Sequence, residues 1–222
     1  MKADYRDPGF SPADILLPKN ADMTKWAVIA CDQFTSQPEY WEEAKRIVGD
    51  DPSSLKLILP EAGLTSPSVD EEITSINRTM REYLDGGIFS CLENALIYVE
   101  RVQSNGLIRH GLVGKIDLEC YDFTPGTGTL GRPTEATVPE RIPPRVRVRA
   151  NASIELPHVM VLIDDPEGTV IERLTAQRGQ MQMLYNFDLM LGGGHVIGRL
   201  LNEEQKKKQE PIDRFCSNKE DS

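Results

Sequence analysis

Apolar positions recur along the chain with two periods, and the switches between them outline the fold. WAVIAC (26–31), LKLILP (55–60) and HVMVLIDD (158–165) are short apolar runs of strand length. Between the first two, SQPEYWEEAKRIVG carries Tyr40, Trp41, Ala44, Ile47 and Val48 on one helical face. Ser36 and Glu39 stand at capping-box spacing, with Pro38 in the first turn and Gly49 at the C-terminal cap. Ser68 and Glu71 repeat that spacing ahead of the stripe Ile73, Ile76, Met80, Tyr83 and Leu84, which predicts a longer helix stopping at Gly86-Gly87. ALIYVERVQ, SNG and LIRHGLVGKIDLECYDF read as a long hairpin, with Gly106 supplying the positive φ of the turn. A helix is predicted over about 166–180, and MLYNFDLM and HVIGRLL read as closing strands around a flexible Gly192-Gly193-Gly194.

Strands and helices alternate without a regular βαβ period, and the hairpin is antiparallel. The expected fold is therefore α+β, a mixed, largely antiparallel sheet with flanking helices, forming one domain over 11–201. The remainder, 202–222, is polar and reads as a disordered tail.

Composition narrows the function. With 222 residues, 39% of them hydrophobic, the chain can bury a core, and its net charge of -10 argues against general nucleic-acid binding or a membrane surface. No run approaches the length needed to span a bilayer, and the N-terminus lacks the apolar core of a signal peptide, so a cytoplasmic protein is expected. Cys31, Cys91, Cys120 and Cys216 are too scattered for a zinc site or a disulfide framework and read as reduced, mostly buried thiols.

Against this acidic balance, Arg132, Arg141, Arg145, Arg147 and Arg149 are concentrated in one stretch, just after the glycine segment GTGTLG (126–131). That segment matches G-x-G-x-x-G in letters only, because Arg132-Pro133 follows it where a dinucleotide site needs a helix. Glycines beside arginines can still cradle a phosphate: Gly126, Gly128 and Gly131 would let backbone amides approach, and guanidinium groups chelate the oxygens in pairs. The alternative is a solvated face, or ion pairs with some of the 35 acidic residues. In RVRVR a strand would align Arg145, Arg147 and Arg149, whereas a helix would spread them. Glu135 is a candidate base or a counter-ion, and Asp32 and Gln33 follow the first strand where ligand groups often sit. His110 and His158 read as structural histidines, and Asp164-Asp165-Pro166 as a turn leading into a helix.

ADILLPKN, KWAVIACDQFTSQPEYWEE, VGDDPSSLKLILPE, HGLVGKIDLECYDF, RPTEATVPERIPPRVRVR, ELPHVMVLIDDPEGTVIE and LYNFDLMLGGGHVIG together resemble the bacterial family known as domain of unknown function 1015, from about residue 11 to 201. Members of that family are close to twice this length and carry a D-G-N/H-H motif in their second half. The motif is absent here, and His195 belongs to the GGGHVIG block of the first half, so the chain corresponds to the N-terminal part of the family fold. The family is similar, remotely, to the ParB and sulfiredoxin-like superfamily, which includes CTP-hydrolysing partition proteins and a free serine kinase. That resemblance implies a nucleotide phosphate site in an arginine-containing loop, with a carboxylate acting on a hydroxyl or holding magnesium. Arg132, Thr134, Glu135, Thr137 and Arg145 match the block; histidine often stands where Thr134 is, so proton transfer there is not open to this chain.

Three readings follow. The first is a nucleotide-dependent phosphotransferase acting on a small hydroxylated metabolite with ATP or another nucleotide and Mg2+. Arg132, Arg141 and Arg145 would sit on the phosphates, the segment Gly126 to Gly131 would close over them, and Glu135 and Asp32 would be the catalytic carboxylates. The second is a non-catalytic module binding a nucleotide or another anionic metabolite. The third is a fragment that needs its C-terminal half.

Overall fold

The structure is a computed structural model that describes residues 9–29, 34, 37–64, 66–122, 124, 128–131, 138–156 and 158–207. In chain order the elements are β1 (Phe10–Ser11), β2 (Ala13–Pro18), α1 (Met23–Trp26), α2 (Pro38–Val48), α3 (Val69–Asp85), β3 (Phe89–Ala95), β4 (Ile97–Val102), β5 (Ile108–Val113), β6 (Lys115–Ile116), α4 (Ile142–Ala150), α5 (Ile171–Ala176), β7 (Gln182–Asp188), β8 (His195–Leu200) and α6 (Glu203–Lys207). Every strand pair among them is antiparallel: β1 with β6, β2 with β3, and a four-stranded sheet in the order β5-β4-β8-β7. The fold is α+β.

β4 is paired on both edges, and its alternation divides two environments. Tyr98 and Glu100 point to one face, where Tyr98, Leu96, Leu174, Met181 and Leu201 make a buried cluster under α5. On the other face Val196 and Phe187 pack against the cluster of α2, formed by Tyr40, Trp41, Ala44 and Val48 with Leu189 and Met190. A third cluster joins Trp26 and Leu57 to Ile73, Ile76 and Met80 of α3 and Val148 of α4. The helices expected at α2 and α3 form because most of each stripe buries, although Leu84 at the end of the α3 stripe is exposed. Each stops at a glycine, Gly49 at φ 53° and the Gly86-Gly87 pair, of which Gly87 has φ 66°.

Three runs expected as strands are otherwise. The described part of WAVIAC begins inside α1, whose N-cap Asp22 accepts from the Thr24 amide at 2.9 Å. Its carbonyls are taken by Ser53 and Ser54, whose hydroxyls donate to Lys25 and Trp26 at 2.7 Å, and the Ile29 amide donates to the Tyr40 hydroxyl at 2.8 Å. The Trp26 carbonyl and the amides of Trp26, Ala27 and Ile29 are thus already bonded and not open to a ladder. LKLILP is drawn in by the same serines: Ser53 accepts from the Leu55 amide and starts a 3-10 turn, Ser54–Leu57, that buries Leu57 completely. HVMVLIDD forms no strand. The helix expected over about 166–180 shrinks to α5 and a 3-10 turn at Arg178–Gln180, because Gly168 at φ 63° belongs to the preceding turn.

Of the glycines before β8, Gly193 and Gly194 are closely packed, whereas Gly192 faces open space. Gly194 has φ 96° and approaches the Val102 carbonyl so closely that an added Cβ would overlap it, and the Leu189 amide donates to the Gly194 carbonyl at 2.8 Å. The stretch after 201 does not begin as a disordered tail. It starts with α6, where Gln205 is buried and exchanges hydrogen bonds with Asn202 at 2.9 and 3.0 Å; 208–222 lie outside the described residues. Cys91 is exposed and Cys120 half-exposed, against the expected burial, while Cys31 and Cys216 lie outside the described residues.

Gly198, opposite both Val99 and Tyr185, leaves room for the Tyr185 ring, whose hydroxyl burial pushes up to about 12. A methyl there would occupy the ring's place. Gly198→Ala is expected to lower the unfolding free energy by about 1–3 kcal/mol in urea titrations, with much of the loss recovered when Tyr185→Leu is added.

Candidate functional site

The arginine stretch resolves into a helix. Pro139–Arg141 forms a 3-10 turn and α4 follows, with Pro143 and Pro144 in its first turn, where a missing amide hydrogen has no cost. The strand alternation of RVRVR therefore gives way to helical spacing. Pro144 and Val148 bury against α3, and Arg141, Arg145 and Arg149, four apart, run along one flank of that contact with Arg147 on the other.

Three of these arginines are already neutralised. Arg141 pairs with Glu61 at 2.5 Å, Arg147 with Asp70 of α3 at 2.6 Å, and Arg149 with Glu155. These are the ion pairs of the alternative reading, with Arg141, expected on a phosphate, held beside Glu61. Arg145 is different: it is exposed, and no carboxylate among the described residues pairs with it. Arg132, Thr134, Glu135, Thr137, Gly126, Asp32 and Gln33 lie outside the described residues. Of the glycine segment, Gly128 faces open space, while Gly131 bridges Tyr121 and is so close to its ring that an added Cβ would stand 3.0 Å from Cδ2. Buried Thr129 anchors the segment, its hydroxyl 3.0 Å from the Asp122 carbonyl.

A second polar cluster, not foreseen as a site, lies on the Tyr98 face of the sheet. The Glu100 carboxylate is 11% exposed and accepts from Arg199 of β8, with Arg178 Nε at 3.6 Å and His110 Nδ1 at 3.9 Å. The Tyr98 hydroxyl lies 2.7 Å from His110 Nδ1 and 2.8 Å from Thr175 Oγ1, which itself donates to the Ile171 carbonyl at 3.0 Å. With the threonine proton used on Ile171, every contact is satisfied only if Tyr98 donates to Thr175 and His110 carries its proton on Nδ1. That leaves Nε2 as the ring nitrogen without a role in this network. Burial holds the Tyr98 hydroxyl above the ordinary phenol range, so it stays a donor at neutral pH.

Half of this cluster was legible. Glu100 and His110 are equidistant from the hairpin turn and therefore pair across it. Arg199 and Arg178 come from distant sequence and carry no such signal. His195 of the glycine block contacts Asp188 at 2.7 Å and Asn186, bridging β8 to β7. Asp165 makes a turn: its carboxylate accepts from the Val170 amide at 2.8 Å and the Thr169 hydroxyl at 3.0 Å, and the Val170 bond above all holds its pKa below the ordinary carboxylate range. Among the described residues, no helix is long and apolar enough to cross a membrane.

Comparison with known proteins adds a family and no activity. The family model "Protein of unknown function (DUF1015)" matches residues 12–214. No curated protein and no solved structure matches. The chain belongs to that family of unknown function.

Two outcomes follow from the charges. Arg199→Ala removes the nearer of two guanidinium partners of a largely buried carboxylate, leaving Arg178 at 3.6 Å, and is expected to cost about 2 kcal/mol in denaturant titrations, whereas Arg147→Ala, on an exposed pair, should cost less than about 1 kcal/mol. Equal small losses would contradict the enclosed pair. The Asp165 carboxylate, with its folded pKa depressed, contributes stability that is complete above about pH 4 and is lost as pH falls through its folded value. The stability gap between wild type and Asp165→Asn should therefore be flat near neutrality and close in acid, as read by thermal unfolding across pH.

Proposed function

We propose that the chain binds the phosphates of a nucleotide beside the N-terminal part of α4, as a nucleotide-dependent phosphotransferase acting on a small hydroxylated metabolite. The observation behind this is the difference among the arginines of one helix. Arg147 and Arg149 of α4 are matched to Asp70 and Glu155, Arg141 in the turn before it is matched to Glu61, and Arg145 is left open. In a protein of net charge -10 an exposed guanidinium without a carboxylate attracts anions, and unlike Arg109 and Arg173, also exposed and unmatched among the described residues, Arg145 lies in the block that follows the glycine segment.

A phosphate fits that side chain because the planar guanidinium presents paired donors to two oxygens. Arg145 would hold the phosphate and neutralise charge on it, and the Gly128 backbone has the open space that close approach requires. Arg132 and Glu135 enter on the sequence block alone, as second cation and carboxylate. ATP or another nucleotide with Mg2+ would supply the phosphoryl group, and the remote resemblance to a free serine kinase points to an amino-acid-sized acceptor. Binding without turnover, of a nucleotide or another anionic metabolite, is the second reading; the pairing of Arg141 with Glu61 favours it, because one fewer cation is open to a transferring phosphate.

Thermal unfolding in magnesium with ATP, ADP or CTP tests the site. A ligand at about a hundred times its dissociation constant adds about 2.7 kcal/mol, a rise of roughly 5 to 10 °C for a chain of this size. The rise should be specific to one nucleotide, vanish in Arg145→Ala and persist in Arg147→Ala. A transition indifferent to all three nucleotides would overturn the site. Nucleotide turnover in the presence of serine and related hydroxylated metabolites separates the two readings.

A further inference from the structure

The largest anomaly on the surface is the segment 158–163. Val159, Met160, Val161, Leu162 and Ile163 are 80%, 72%, 54%, 74% and 51% exposed. Single exposed apolar side chains are ordinary, but five in succession are not. The run is rich in β-branched residues and has the length of a strand, yet residues 158–163 form no strand and no backbone hydrogen bond with any described residue. It is apolar on both alternate faces, which is the pattern of a strand inside a sheet rather than one half open to water. Its two ends are fixed on each side: Leu156 packs with the α2 and α3 clusters, and Asp165 closes its turn on Val170. The strand is held out with its backbone unpaired, and such an edge pairs with another strand.

The residues at its two ends indicate which strand. We infer that 158–164 pairs antiparallel with the same segment of a second copy of this chain, about a two-fold axis at Val161. In that register His158 faces Asp164 of the other copy, Val159 faces Ile163, Met160 faces Leu162, and Val161 faces itself. All five apolar residues meet apolar partners, and the histidine at one end meets the carboxylate at the other. Moving the axis to Met160 or Leu162 sets Asp164 against Leu156 or Met160, so the charge pattern selects Val161. A two-fold axis makes the interface self-complementary, and each copy contributes the same strand to it.

Sedimentation of the full chain across the micromolar range tests the association, and a cysteine scan tests the register. The mass is expected to rise with concentration from 24.9 kDa toward twice that value. Val161→Lys sets two like charges against each other on the axis and should leave the chain monomeric, with the circular dichroism and melting temperature of the wild type at dilutions where that is monomeric, because Val161 is exposed in the single chain. Under mild oxidation Val161→Cys should cross-link into a covalent dimer well above the wild-type background, since residues opposite each other in an antiparallel pair have Cα atoms about 4.5–5.5 Å apart, within disulfide reach. Met160→Cys, which faces Leu162, should not. A chain monomeric at every concentration would overturn the proposal. So would a dimer indifferent to Val161→Lys, or one that cross-links equally from 160 and 161.

Discussion

The ion pair between Glu100 and Arg199 ties together parts of the chain that nothing local would join. β4 and β5 meet through a short turn at Gly106, but β8 arrives almost a hundred residues later and must find β4 in one register. The Glu100 carboxylate is 11% exposed, and a slip that separated it from Arg199 would remove the nearer of its two guanidinium partners and leave only Arg178 at 3.6 Å. Tyr185 lying over Gly198 constrains the neighbouring pair in the same way, by shape instead of charge. Together they fix the sheet on which the helical clusters pack, α5 on one face and α2 on the other.

The same sheet face carries a polar cluster around Tyr98, His110 and Arg178, and α4 carries Arg145. Both are cationic features of an acidic chain, but their histories differ. In the sheet cluster the cations surround a carboxylate that needs them, which accounts for most of their presence. On α4 each arginine except Arg145 has its own carboxylate. The contrast between matched arginines and Arg145 emerges only when the partners of each arginine are known.

What the sequence made legible was what local physics decides. α2, α3, the β4–β5 hairpin, β7 and β8 carry apolar periodicity with caps or turn glycines close by, and they form where expected. The three apolar runs failed because a short run does not state what will pair with it. The Trp26 carbonyl and the Leu55 amide were claimed by serine hydroxyls, and 158–163 met no strand among the described residues. RVRVR alternates like a strand, but Pro143-Pro144 just before it suits the first turn of a helix, and the buried pair Pro144 and Val148 settles the period. At the site, Glu100 and His110 could be paired by counting from the hairpin turn, whereas Glu61, Asp70 and Glu155 as partners of the α4 arginines are tertiary facts with no sequence mark.

A residue-resolved titration tests the proposed phosphate site beside α4 most directly. Backbone amide resonances of the chain would be followed by NMR as magnesium and nucleotide are added. The account expects the largest shifts at Gly128–Gly131 and in residues 138–150, centred on Arg145, with β4, β5 and β8 little changed. Largest shifts at His110, Arg178 and Arg199, or none anywhere, would contradict it.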